Sequence, residues 1–101
     1  DELPDFAVGT ALGRETFHAV VPARHKLAGR RSVALSELTE HPIVALPTES
    51  RTRRTIDAAA VTAGLQLRQL VVVNQIATLL ALVGAGVGVG VVPGGATRGP
   101  L

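Results

Sequence analysis

Apolar and polar positions change period several times along the 101 residues, and each change marks an element. Residues 14 to 22, Arg-Glu-Thr-Phe-His-Ala-Val-Val-Pro, alternate and then become wholly apolar before Pro22, as a strand does when it runs into a loop. Residues 23 to 32 supply that loop. Val33, Leu35 and Leu38 flank Ser36, which can cap one short helical turn ahead of His41-Pro42. Residues 43 to 46 form the next strand, and Pro47-Thr48-Glu49-Ser50 carries turn and capping chemistry. From Arg51 onward, Ile56, Ala59, Ala60 and Ala63 lay a narrow apolar stripe along one helical face, and Gly64 stands where a helix end takes a left-handed residue. Residues 67 to 73, rich in β-branched side chains, read as a buried strand. Asn74 can cap a helix in which Ile76, Leu79, Leu80 and Val83 share one face, closed by Gly84 and Gly86. Residues 87 to 92 alternate valine and glycine before valine doubles, which predicts a short buried strand stopped by Pro93-Gly94-Gly95.

The order strand, turn, strand, helix, strand, helix, strand predicts an α/β fold with a mainly parallel sheet flanked by helices. In such sheets ligands bind beyond the carboxyl ends of the strands, where helix N-termini present unpaired N–H groups and partial positive charge. Two such ends can be named, Pro47-Thr48-Glu49-Ser50-Arg51 and Asn74-Gln75-Ile76. If strands 43 to 46 and 67 to 73 are neighbours, both helix starts open on one rim, with Thr48, Ser50 and Asn74 as side-chain donors. Carboxylate or phosphate groups suit such a place, each helix dipole contributing about 0.3 to 1 kcal/mol. Ser50 and Asn74 serve equally well as caps, and the two roles can coexist. Arg51, Arg53 and Arg54 fall in a first turn, where positive charge opposes the dipole, so Glu49, a bound anion or water must offset them. Solvated arginines are the expected arrangement.

Composition narrows the function classes. The chain is long enough for one modest domain, and 47% hydrophobic against 18% charged residues excludes a disordered tail. Phe6 and Phe17 are the only aromatic residues, so stacking platforms for single-stranded nucleic acid or sugar are missing. A net charge of +2, with basic residues scattered apart from Arg30-Arg31 and the arginines at 51, 53 and 54, gives no nucleic-acid footprint. The absence of cysteine removes disulfides, thiolate metal sites and cysteine nucleophiles, and is compatible with a cytoplasmic protein. His18, His25 and His41 are too widely spaced to make a metal pair on one helix. None of Ser32, Ser36 and Ser50 sits in a nucleophile elbow. No catalytic residue, metal or cofactor is therefore expected, and the chain reads as a binding module, not an enzyme.

Two further signals are decoys. The run Gly84-Ala85-Gly86-Val87-Gly88-Val89-Gly90 invites a dinucleotide-binding reading, but its glycines close a helix and enter a strand, the reverse of the fingerprint. The absence of charge between Arg68 and Arg98, with the largely apolar run 76 to 92 inside it, suggests a membrane span, yet Asn74 and Gln75 interrupt the uncharged stretch and its periodicity changes midway, as a buried helix followed by a buried strand requires. The start Asp1-Glu2-Leu3-Pro4, without Met, basic stretch or apolar signal core, is expected to be a cut through a longer protein.

With these features in order, a family is recognisable. Glu15 and Val20-Val21-Pro22, then His25-Lys26-Leu27-Ala28, Val33-Ala34-Leu35-Ser36-Glu37-Leu38 and Pro42-Ile43 resemble the second regulatory subdomain of LysR-type transcriptional regulators. Ser50-x-x-Arg53-x-x-Ile56-Asp57 before Gly64, and Leu82-Val83-x-Ala85-Gly86-Val87-Gly88 ending in Val92-Pro93, are similar to that family's later landmarks. Lys26 departs from the family's usual proline, so that loop is expected to differ in shape.

The resemblance implies one lobe of a periplasmic-binding-protein-like fold. Residues 1 to 13 would be a crossover from a first lobe, 14 to 95 the second subdomain, and 96 to 101 the start of the return crossover. It implies a cytoplasmic module that takes a small effector between its two lobes and biases a DNA-bound oligomer. Pro47, Thr48 and Glu49 carry over as the loop facing the cleft, with Asn74 as a further position. The helix from Arg51 to Ala63 and strand 67 to 73 would serve self-association, and DNA would be contacted only by an N-terminal helix-turn-helix outside this chain. The alternative is a lobe of a solute-binding protein serving transport, which shares the fold. A dinucleotide-binding enzyme domain would need a glycine-rich loop after the first strand, and residues 22 to 32 do not supply one.

Overall fold

A computed structural model describes residues 6–8, 17–30 and 33–94. The elements in chain order are β1 (Phe6–Val8), β2 (Phe17–Pro22), α1 (Leu35–Leu38), β3 (Pro42–Ala45), α2 (Arg51–Ala63), β4 (Arg68–Val72), α3 (Ile76–Gly84) and β5 (Gly90–Pro93). β2 lies between β1 and β5, antiparallel to both, and β3 pairs with β4 in parallel. A parallel bridge between Ile43 and Val89 lays the two ladders edge to edge, with the Val44 N–H donating to the Val89 carbonyl at 2.8 Å and the Val89 N–H to Pro42 at 2.9 Å.

The expected α/β lobe is present, but its sheet is parallel only in part. Full helices connect β3 to β4 and β4 to β5, and these are the units that run parallel. The link from β2 to β3 carries only the four-residue α1, and β2 runs the other way. β1 falls within the segment expected as a crossover, and three residues are too few to show a period in the sequence. The other crossover residues, 1 to 5, 9 to 13 and 96 to 101, lie outside the described residues, as do 14 to 16 at the expected start of β2.

Side chains divide by the strand period into two cores. Phe17, Ala19 and Val21 face one side of β2 and pack with Leu38 of α1 and Ile56 of α2. Val20, Val44 and Val92 face the other side and pack with Leu79 and Val83 of α3. The sheet is thus the middle of three layers. Gly88 and Gly90 let β5 close in. A methyl group at Gly88 would come within 2.5 Å of the Pro42 carbonyl oxygen, and one at Gly90 within 2.7 Å of Leu79 Cδ2. Among the described residues, no helix is long and apolar enough to cross a membrane.

Helix ends follow the sequence at α2 and depart from it elsewhere. Ser50 Oγ accepts from the Arg53 N–H at 3.3 Å, and Gly64 at φ +71° closes α2 with Leu65 donating to the Ala60 carbonyl. Asn74 does not cap α3. The N-cap is Gln75, extended at φ −138° and without a side-chain capping bond, which leaves Asn74 one residue too early. Nor does Ser36 cap α1, since it lies inside the helix. Ala34 occupies the N-cap, and the Glu37 carboxylate accepts its N–H at 2.9 Å while also pairing with Arg30.

Two burial expectations also change. The α2 stripe is Thr52, Ile56 and Ala60, with Ala59 and Ala63 exposed, because only one helical row meets the sheet. Strand 67 to 73 is not buried: Leu70 is 61% and Val72 53% exposed. Among the described residues β4 pairs with β3 alone, so it is an edge strand whose apolar side chains lack a second neighbour.

Candidate functional site

β3 and β4 are adjacent and parallel, with Ala45 opposite Val72 and the Val73 N–H donating to the Ala45 carbonyl at 2.9 Å. Segments 46–50 and 73–75 therefore leave the same edge of the sheet, and both helix starts open there. The Ser50 N–H donates to the Pro47 carbonyl at 2.9 Å, closing a tight turn that carries Thr48 and Glu49 at its exposed tip. Pro47 and Ser50 are half-buried behind them, and Asn74 is exposed across the rim. All five sequence-predicted positions thus share one rim. Ser50 spends its side chain on capping α2, whereas Asn74 caps nothing.

The arginines of the first α2 turn are not all solvated. Arg53 has a side chain only 13% exposed, and its guanidinium makes three bonds. It donates to Asp57 Oδ2 at 2.8 Å, to the Leu46 carbonyl at 2.8 Å and to Gln69 Oε1 at 2.9 Å. Gln69 closes the ring by donating to Asp57 Oδ1 at 3.2 Å. Asp57 and two neutral acceptors offset the charge, so neither a bound anion nor water is required for Arg53. Arg54 donates to the backbone carbonyl of Glu49 at 3.0 Å. The four-residue spacing of Arg53 and Asp57 was a legible signal for this pair. Gln69, sixteen residues along the chain from Arg53, gave none.

A cavity of about 20 Å³ beneath α2, reached by Thr52, Ile56, Leu67 and Val91, has room for about one water. Two larger concavities are open ones, of about 290 Å³ where Val61, Leu65 and Gln69 meet, and of about 310 Å³ around Lys26, Arg30, Glu40 and His41. Among the described residues, no three His, Cys, Asp or Glu side chains gather as a metal site.

Folding does bring together two of the histidines that looked unrelated. The rings of His25 and His41 lie 4.5 Å apart, edge to face. His25 Nδ1 accepts the Leu27 N–H at 3.1 Å, an acceptor role open only to the unprotonated nitrogen. Burial first, then the neighbouring His41 and Lys26, hold the His25 imidazole below its ordinary 6.5. The unfolded chain therefore binds the proton more readily than the folded one. Stability from this group is complete above 6.5 and is lost as pH falls below it toward the depressed folded value. The urea midpoint should fall between about pH 7.5 and about pH 5.5, and the fall should shrink in His25→Asn, whose carbonyl oxygen accepts from Leu27 without titrating. An equal fall in both proteins would remove His25 as its source.

Solved structures carry the same lobe. The effector binding domain of QuiR in complex with shikimate aligns with a TM-score of 0.72 at 22% identity, over 89% of this chain and 43% of that one. The regulatory domain of CcmR from Synechocystis PCC6803, in complex with 2-PG, aligns at 0.72 with 15% identity, over 94% and 46%. The C-terminal domain of a probable LysR family transcriptional regulator from Rhodococcus sp. RHA1 aligns at 0.66 with 29% identity, over 88% and 43%. The chain spans less than half the length of each. No curated protein matches the chain. The sequence model of the LysR substrate binding domain matches residues 3–101. On that match, and with a fold shared with these structures, the chain belongs to the LysR substrate binding domain family, the effector-binding module of LysR-type transcriptional regulators.

Proposed function

We propose that this chain is the effector-sensing second lobe of a cytoplasmic LysR-type regulator, gripping a small molecule between the lobes at Pro47, Thr48, Glu49, Ser50 and Asn74. The observation that carries the reading is the parallel pairing of β3 with β4, which delivers both loops and both helix starts to one rim. Two structural neighbours hold shikimate and 2-PG, which supports a small-molecule guest here. Two helix N-termini favour a guest with a carboxylate or phosphate group. The lobe transforms nothing. A ligand touching both lobes stabilises one interlobe angle, and it shifts the assembly only by its difference in affinity for the two states.

Self-association would use α2 and the β4 edge, where Val61, Leu70 and Val72 are exposed and apolar. DNA contact would belong to an N-terminal domain outside this chain. A solute-binding lobe for transport would share the fold, and the family match favours regulation.

The test is a thermal-shift screen of small carboxylates and phosphates on the two-lobed protein, followed by calorimetry on any compound that stabilises it. Thr48→Ala or Asn74→Ala should weaken such a compound about tenfold, the loss of one well-made hydrogen bond. The lobe alone, with half the contacts, should bind it weakly or undetectably. Tight binding to the isolated lobe, or affinity indifferent to both substitutions, would contradict the proposal.

A further inference from the structure

The geometry points to Arg53 as a positioning residue that couples the effector rim to the self-association face, an inference that rests on the reading of those two surfaces given above. Among the described residues, Arg53 bonds three segments at once. Its backbone N–H and one guanidinium nitrogen hold Ser50 Oγ and the Leu46 carbonyl, the two ends of the rim turn. A second nitrogen holds Asp57 on the next turn of α2, and the third holds Gln69 on β4. Asp57 and Gln69 are bonded to each other and border the open groove where Val61 and Leu65 lie.

A guanidinium is planar and rigid, so its acceptors cannot move independently without breaking a bond. With the Arg53 side chain only 13% exposed, water has little access to the arms that hold Leu46 and Asp57, whereas the arm to Gln69 lies at the surface. A guest that displaces the Pro47-to-Ser50 turn therefore moves the Leu46 carbonyl against Gln69 and Asp57. Their groove and the adjoining Leu70 are the surface a second subunit would cover. The reverse also holds, since coupling between two binding events is reciprocal. That reciprocity allows a test without any effector.

The test is hydrogen exchange by mass spectrometry on the intact regulator, at concentrations below and above its self-association midpoint. In the wild type, association should protect the peptides containing Val61, Leu70 and Val72, and should change exchange at the Thr48, Glu49 and Ser50 amides by about 2- to 30-fold. In Arg53→Lys, which keeps the charge but not the fork, the β4 peptides should still become protected while the rim amides stop responding. Gln69→Met, at an exposed position that leaves the α2 cap intact, removes the bonds by which β4 holds Arg53 and Asp57 and should also reduce the response, so the question stays open to refutation if Arg53→Lys fails to fold. Protection on β4 with a silent wild-type rim would overturn the coupling and leave the proposed function standing. A rim response of wild-type size in both variants would overturn the role of Arg53. Association that leaves the β4 peptides unprotected would overturn both the coupling and the assigned surface.

Discussion

Gly88→Ala is expected to lower the folding stability of the lobe by about 3 to 5 kcal/mol, a large share of what a domain this size possesses. The added Cβ would sit 2.5 Å from the Pro42 carbonyl oxygen and 3.1 Å from its carbon, and both are backbone atoms without a rotamer to escape into. Relief requires β5 to back away from β3. That movement breaks the Val89-to-Pro42 and Val44-to-Val89 hydrogen bonds, which join the antiparallel half of the sheet to the parallel half. Overpacking contributes about 1 to 3 kcal/mol and each broken bond about 1 more. Urea unfolding followed by far-ultraviolet circular dichroism measures the change, since the chain holds no Trp or Tyr to serve as a fluorescent probe. A shift under about 0.5 kcal/mol would mean that β5 does not lean on Pro42 as closely as described.

The glycines around 88 illustrate what the sequence makes legible. Read as a motif, Gly84 to Gly90 suggests a dinucleotide-binding turn; read by position, after a helix and into a strand, it predicts close packing, and packing is what Pro42 and Leu79 impose. α2 was legible for the same reason. Ser50 and Gly64 are local signals whose geometry needs no distant partner. α3 was legible in its apolar face but not at its head, because Asn74 is a favoured capping residue and Gln75 is not, yet the helix begins one residue later than a cap at Asn74 would place it.

The run at 67 to 73 marks a different limit. Apolar β-branched residues describe a strand but not its neighbours, so an edge strand with Leu70 and Val72 outward is indistinguishable from a buried one. Long-range contacts were silent altogether. Nothing local tells that Gln69 completes the Arg53 fork, or that His25 meets His41. The rim itself was readable up to one condition, the adjacency of β3 and β4, and the parallel ladder supplies it.

Leu79→Ala should cost about 2 to 5 kcal/mol, because Leu79 is fully buried at the centre of the core that α3 makes with Val20, Val44 and Val92. Its position makes a second, sharper expectation. Gly90→Ala alone should also destabilise, since its methyl group would meet Leu79 Cδ2 at 2.7 Å, but that atom is the end of a side chain, so the cost should be smaller than at Gly88. With Leu79 truncated the obstacle is gone, and the new methyl group enters the space Leu79 vacated. The double variant should therefore be more stable than the sum of the two single losses by about 1 kcal/mol, measured as a four-protein urea series. Additivity within about 0.3 kcal/mol would mean that Leu79 does not sit over Gly90. The consequence reaches the rim, because α3 carries Asn74 and Gln75 just ahead of its first turn, and Leu79 is the side chain that pins that turn to β5. A lobe weakened at Leu79 should thus lose the Asn74 side of the rim before it loses the Thr48 side, whose anchorage runs through Ser50 and Arg53 on the opposite layer.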